Sequence, residues 1–162
     1  MKLDFILNGE DVSCQAEAGD RLAYILRERF SLLGVKEDCR SGHCGLCMVS
    51  LNGRAVPSCL VPAFRVRGAE VVTIEGFELT DDYADLRDGF RKAGAEPCEF
   101  CRGAVFLSAA ALLDERPRPE ATEILEHLSA VFCRCHDPSA LVRGVQTAAE
   151  LRARRMYFRA NR

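Results

Sequence analysis

Eight of the nine cysteines in these 162 residues fall into two spaced sets, and that grouping limits the possible folds more than any other feature. The first set is Cys39-x4-Cys44-x2-Cys47-x11-Cys59, three thiols in one short loop and a fourth from farther along. The second is Cys98-x2-Cys101, then 31 residues, then Cys133-x1-Cys135. An odd cysteine count in a chain of this length argues against a disulfide framework. Met1 to Gly9 reads as a strand entering a turn, without the apolar core and cleavage site of a signal peptide. A reducing, cytoplasmic compartment is therefore expected, and there a cluster of cysteines points to metal or redox chemistry.

The first spacing is that of a plant-type ferredoxin, whose [2Fe–2S] cluster is held by Cys thiolates. Such a cluster carries net negative charge that grows on reduction, so it needs many hydrogen-bond donors. The loop Arg40-Ser41-Gly42-His43-Cys44-Gly45-Leu46-Cys47 offers backbone N–H groups, and Gly42 and Gly45 can take the φ > 0 conformations that aim them inward. Leu46 and Met48 can exclude water. Zinc sites are usually built from two short pairs, so three clustered cysteines and a distant fourth are the wrong grouping for zinc. His43 reads as a loop residue, because four cysteines already complete the site.

On its own the second set suits either a [2Fe–2S] cluster or zinc, although Cys-x-Cys is tight for a zinc knuckle. Both of its pairs precede helices, whose N-termini favour thiolate and cluster charge. Cys14 lies in an alternating strand and reads as a small buried hydrophobe. His127 and His136 read as structural, with His136 placed to tune the neighbouring centre through a hydrogen bond.

Around these sets the chain changes character near Gly76–Thr80. Before the join, Leu3–Leu7 runs into the hairpin pair Asn8-Gly9, and Val12, Cys14 and Ala16 alternate on a return strand. Asp20 is a candidate cap for a helix carrying Leu22, Ile25, Leu26 and Phe30. Met48–Leu51 leads to a second Asn-Gly turn, and Val71–Ile74 is a further β-branched run. A mixed sheet crossed by one helix fits this order. After the join come four helices: one from near Thr80 through Phe90, one over Val105–Leu113, one over Glu120–Leu128 behind Pro119, and one opened by Asp137-Pro138 and running to about Met156. Each half is small enough that a bound cluster would act as a staple. A net charge of −2 gives no reason to expect nucleic acid as a partner, and no run approaches the ~18–20 apolar residues of a membrane span. The arginines at 152, 154, 155, 159 and 162 read first as a solvated helix end and second as a docking surface.

Taken together, the chain from Leu3 to Met156 resembles the small iron–sulfur subunit of the molybdenum hydroxylases: the xanthine dehydrogenase, aldehyde oxidoreductase and carbon monoxide dehydrogenase family. Both cysteine sets agree in spacing and order, as do Cys44-Gly45-Leu46-Cys47, Val72-Thr73-Ile74-Glu75-Gly76 and Cys133-Arg134-Cys135. The resemblance implies an α+β protein: an N-terminal plant-type ferredoxin β-grasp domain over 1–77 and a C-terminal four-helix bundle domain over 78–162. It implies two [2Fe–2S] clusters, on Cys39, Cys44, Cys47 and Cys59 and on Cys98, Cys101, Cys133 and Cys135. It further implies molybdopterin in a large partner subunit, FAD in a medium one, and electrons passing from the first to the second through the helical half and then the ferredoxin half. The competing readings are a zinc-stapled module and a single-cluster module.

The sequence also departs from the family. Pro97 stands where a glutamine commonly contacts the pterin, Ala130-Val131-Phe132 precedes Cys133, and His136-Asp137 follows Cys135. The glutamine contact is therefore not expected here. Cys135, whose family counterpart lies beside the pterin, is expected to keep that place.

Overall fold

Asn8 and Gly9 take positive φ values of 52° and 84°, and this tight turn joins strand β1 (Lys2–Leu7) to β2 (Glu10–Gln15) in antiparallel register, Leu7 opposite Glu10. The second Asn-Gly pair does the same between β3 (Met48–Leu51) and β4 (Arg54–Pro57). The computed structural model describes residues 1–135 and 137–161, so His136 and Arg162 lie outside the described residues. A short β5 (Glu70–Val72) pairs parallel with β1 and antiparallel with β3, giving the mixed order β2-β1-β5-β3-β4. Helix α1 (Leu22–Phe30) turns Leu22, Ala23, Ile25 and Leu26 into the core with Leu3, Phe5 and Val49.

Three local expectations are corrected here. Arg21, not Asp20, is the N-cap of α1; the Asp20 carboxylate accepts instead from the Glu17 N–H at 2.9 Å and closes the preceding turn. The third β-branched run stops at Val72, because Thr73 opens a one-turn helix α2 (Ile74–Phe77). Cys14 is half-buried rather than buried, at the margin of the first core.

Beyond α2 the chain is helical: α3 (Asp81–Lys92), α4 (Glu99–Glu115), α5 (Ala121–Leu128) and α6 (Pro138–Ala160). The described residues thus hold six helices, two of them (α1 and α2) before the four in the second half. Helix α4 starts well before its Ala/Leu-rich stretch, directly at Cys98. Glu120, expected inside α5, is instead its N-cap, in a reciprocal capping box with Glu123. Asp137 caps α6 as its sequence implies, accepting from the Ala140 N–H at 3.0 Å, with Pro138 in the first turn.

Helix α4 is buried on several sides, with Val105, Phe106, Leu107 and Ala109 in the second core. The Phe106 ring meets those of Tyr83 and Phe90 at 5.5 and 5.2 Å. Glycines let α3 and α6 cross closely: a Cβ on Gly89 would lie 2.5 Å from the Ala148 nitrogen, and one on Gly144 2.6 Å from the Phe90 ring. The C-terminal arginines correct the expectation of a merely solvated helix end. Arg155 pairs with Asp82 and Asp85, Arg152 with Asp82 and Asp114, and Arg159 with Asp81, so α6 is tied to α3 and α4 along its last turns. The second core also takes in Met48 from β3 and Ile74 from α2, which joins the sheet to the helices.

Candidate iron–sulfur sites

The loop after α1 places the first cysteine set at one end of the sheet. Arg40, Gly42 and Gly45 adopt positive φ values of 54°, 76° and 68°, which coil the chain around Cys39 and Cys44. The Cys44 N–H points at the Cys39 sulfur at 3.4 Å. With the Ser41 N–H it holds the Cys39 thiol down at about 6. Cys47 leads into β3, and a 3-10 turn at Ser58–Leu60 brings Cys59 back, its N–H 3.5 Å from the Cys47 sulfur. Ser58, fully buried, anchors that return with its Oγ on the Cys47 carbonyl at 2.7 Å. Burial, then the neighbouring Cys47, pushes the Cys59 thiol up to about 11. Leu60 covers Gly42 so closely that a Cβ there would lie 2.4 Å from a Leu60 methyl.

The second set is assembled by helix ends. Cys98 is the N-cap of α4 and Cys101 lies in its first turn, so this pair opens the helix rather than preceding it. The N–H groups of Phe100 and Cys101 face the Cys98 sulfur; with the Cys135 thiol, the larger influence, they lower its pKa. Cys133 and Cys135 lie in the extended segment before α6. The sulfurs of Cys98, Cys101 and Cys135 all lie within 4.8 Å of one another. Burial raises the Cys101 thiol, and the adjacent Cys133 and Cys98 raise it further. With Cys101 and Cys135 both raised above the ordinary thiol value, the set ionises fully only with positive charge among it, which is what a cluster of ferric ions provides. In the first set the sulfurs lie as two neighbouring pairs of free thiols, Cys39 with Cys44 and Cys47 with Cys59. This suits a two-iron centre, in which each ion takes two of the four thiolates. Each set offers four thiols, the donors that a [2Fe–2S] cluster takes.

The two sites touch. The Phe132 N–H donates to the Cys44 carbonyl at 2.8 Å, between one residue of each set's loop. Gly45 makes the approach possible: a Cβ on it would lie 1.9 Å from the Ala130 carbonyl oxygen. His43, exposed, lies with its ring 6.5 Å from that of Phe132. Sequence reasoning missed Ser58, Leu60 and the Cys44–Phe132 bond. Ser58 had a signal in its position beside Cys59; the bond, between residues far apart in sequence, had none.

Known proteins complete the picture. Residues 5–71 match a "2Fe-2S iron-sulfur cluster binding domain" family and residues 73–146 a "[2Fe-2S] binding domain" family. The nicotinate dehydrogenase small FeS subunit of Eubacterium barkeri is 40% identical over 129 residues, covering 80% of this chain and 82% of its own. The nicotine 6-hydroxylase small subunit of Paenarthrobacter nicotinovorans is 34% identical over 149 residues, 91% of this chain and 89% of its own. The chain belongs to the small iron–sulfur subunits of the molybdenum hydroxylase family.

As a family member it is the iron–sulfur subunit of a multi-subunit oxidoreductase, with an electron-transfer role and two [2Fe–2S] clusters, one per half. The zinc reading of the second set gives way to this. A chain of quinoline 2-oxidoreductase from Pseudomonas putida 86 superposes with a TM-score of 0.85 at 31% identity, covering 95% of this chain and 96% of that one. No helix of the described residues is long and apolar enough to cross a membrane. Pro97, at the position of the family's glutamine, is buried, whereas Cys98 beside it is exposed.

Proposed function

We propose that this subunit relays electrons from a molybdopterin centre in a large partner subunit to FAD in a medium one. Its halves, residues 1–77 as a β-grasp ferredoxin domain and 78–162 as a four-helix bundle domain, would carry the second and first stations of that path. When bound, the two clusters supply one-electron carriers, held by Cys98, Cys101, Cys133 and Cys135 at one station and by Cys39, Cys44, Cys47 and Cys59 at the other. The nine unpaired thiols suit a reducing compartment such as the cytoplasm.

The observation that carries the reading is the Phe132 N–H···O=C Cys44 bond at 2.8 Å, which joins the two cysteine loops through one backbone contact. The rest of the chain supports the order. Cys98 and Cys135 are exposed, so the helical station presents two of its thiolates at the surface where a partner's pterin can dock beside Cys135. Cys47 and Cys59 are buried, while Arg40, Ser41 and His43 of the same loop are exposed and offer a polar rim toward a flavin subunit. The Gly42 N–H faces the Cys59 sulfur of the Cys39–Cys59 station, and Gly45, at positive φ, turns the chain beside it. Leu46 and Met48 pack between the halves and keep water from the gap. No described residue is called on as an acid or base: the work of this chain is to hold two carriers close and dry.

Replacing Cys98 with Ser in the assembled complex tests the relay. Electron flow from substrate to flavin is expected to stop while the EPR signal of the Cys39–Cys59 station persists. Unchanged turnover with a flavin-linked acceptor would overturn the proposed order.

A further inference from the structure

The segment Val72-Thr73-Ile74-Glu75-Gly76 has no part in binding the clusters, yet it reaches into both halves. Ile74, 7% exposed, is wedged between two glycines. A Cβ on Gly34 would lie 2.2 Å from its Cγ2, and one on Gly103 3.2 Å from its Cβ. Gly34 lies on the segment that leads from α1 to Cys39, and Gly103 on the turn of α4 that carries Cys101. One side chain therefore spans the supports of both cysteine sets. Glu75 locks it in place. Its Oε1 accepts from the Gly34 N–H at 2.8 Å, and its Oε2 accepts from the Thr73 hydroxyl at 2.6 Å. Thr73 is fully buried, and its N–H donates to Asn8 Oδ1 at 2.9 Å in the first hairpin turn. A Cβ on Gly76 would lie 2.3 Å from the same Asn8 oxygen.

We infer that Ile74 and Glu75 are positioning residues that set the spacing between the two cluster-binding loops. The inference rests on the relay reading. The Cys44–Phe132 bond holds the loops together at their tips, and the Ile74–Glu75 wedge fixes them at their bases. Together with Met48, which packs into the helical core, these attachments keep the halves from sliding or hinging about the tip contact. The small residues at 34 and 103 are needed because a larger side chain at either would push the wedge and open the gap.

The test is low-temperature EPR of the full chain carrying its clusters and reduced with dithionite. Two reduced clusters split each other's signals to an extent that falls steeply with their separation. In Glu75→Ala, each cluster's own g-values and the iron and sulfide content are expected to match the parent, while the splitting narrows. Glu75→Gln keeps an oxygen that can accept from Gly34, so it is expected to retain more of the splitting. Should Glu75→Ala fail to hold its clusters, Gly103→Ala decides, since it crowds Ile74 without removing a hydrogen bond; the same change in splitting is expected. A lowered melting temperature with unmoved splitting overturns the inference and leaves the segment merely structural. A parent chain without cluster signals overturns the relay reading itself, and the two failures are thus told apart.

Discussion

At Gly45 a single methyl group decides whether the two loops can meet. Its φ of +68° already disfavours any L side chain, and the added carbon would fall 1.9 Å from the Ala130 carbonyl oxygen. Gly45→Ala is expected to cost about 1–3 kcal/mol from the backbone alone and to weaken the Cys44–Phe132 contact, read as a lower melting temperature of the full chain. Gly53→Ala, at φ +79° with open space around it, separates the backbone cost from the clash. An equal loss at both positions would contradict the close approach. The cysteines differ just as sharply among themselves. In the metal-free chain the Cys39 thiol, held at about 6 by N–H donors, ionises below neutral pH, whereas Cys59, raised to about 11 by burial, does not. Iodoacetamide is expected to label Cys39 first near neutral pH, at a rate that rises through pH 6 and then levels. Labelling that rises only near the ordinary thiol pKa of about 8.5 would contradict the donor geometry.

Among the elements, α4 carries the greatest share of the second core and the first pair of its cysteine set. Phe106→Ala removes the ring between Tyr83 and Phe90 and is expected to destabilise the chain by ~3–5 kcal/mol. Asp137→Ala removes the cap of α6 and is expected to cost ~1 kcal/mol. Urea unfolding of both variants checks the order; comparable losses would mean that the core is not centred on α4. These elements were unevenly legible in the sequence. The Asn-Gly turns and the Asp137-Pro138 start were clear, because each depends on the φ preference or capping oxygen of one residue. The start of α4 was obscured, since Cys98-Glu99-Phe100-Cys101 carries no Ser, Thr, Asn or Asp at the cap, and the Cys98 side chain makes no capping bond. Ile74 reads as strand by β-branching, but Thr73 is drawn out of the ladder by Asn8 and Glu75, contacts no local rule reports.

Over the whole molecule, the two cysteine sets stood out in the sequence because their spacing is that of cluster-binding loops. What lay beyond the sequence was how the two places are held against each other. That depends on contacts between residues far apart in the chain: Gly45 on Ala130, and Ile74 between Gly34 and Gly103. The same contacts join the halves, with Met48 and Ile74 in the helical core. The most direct test of the account is metal and sulfide analysis of the chain isolated without air, followed by EPR after reduction. About four irons and four acid-labile sulfides per chain, with two distinct signals, are expected. Stoichiometric zinc without inorganic sulfide would contradict it.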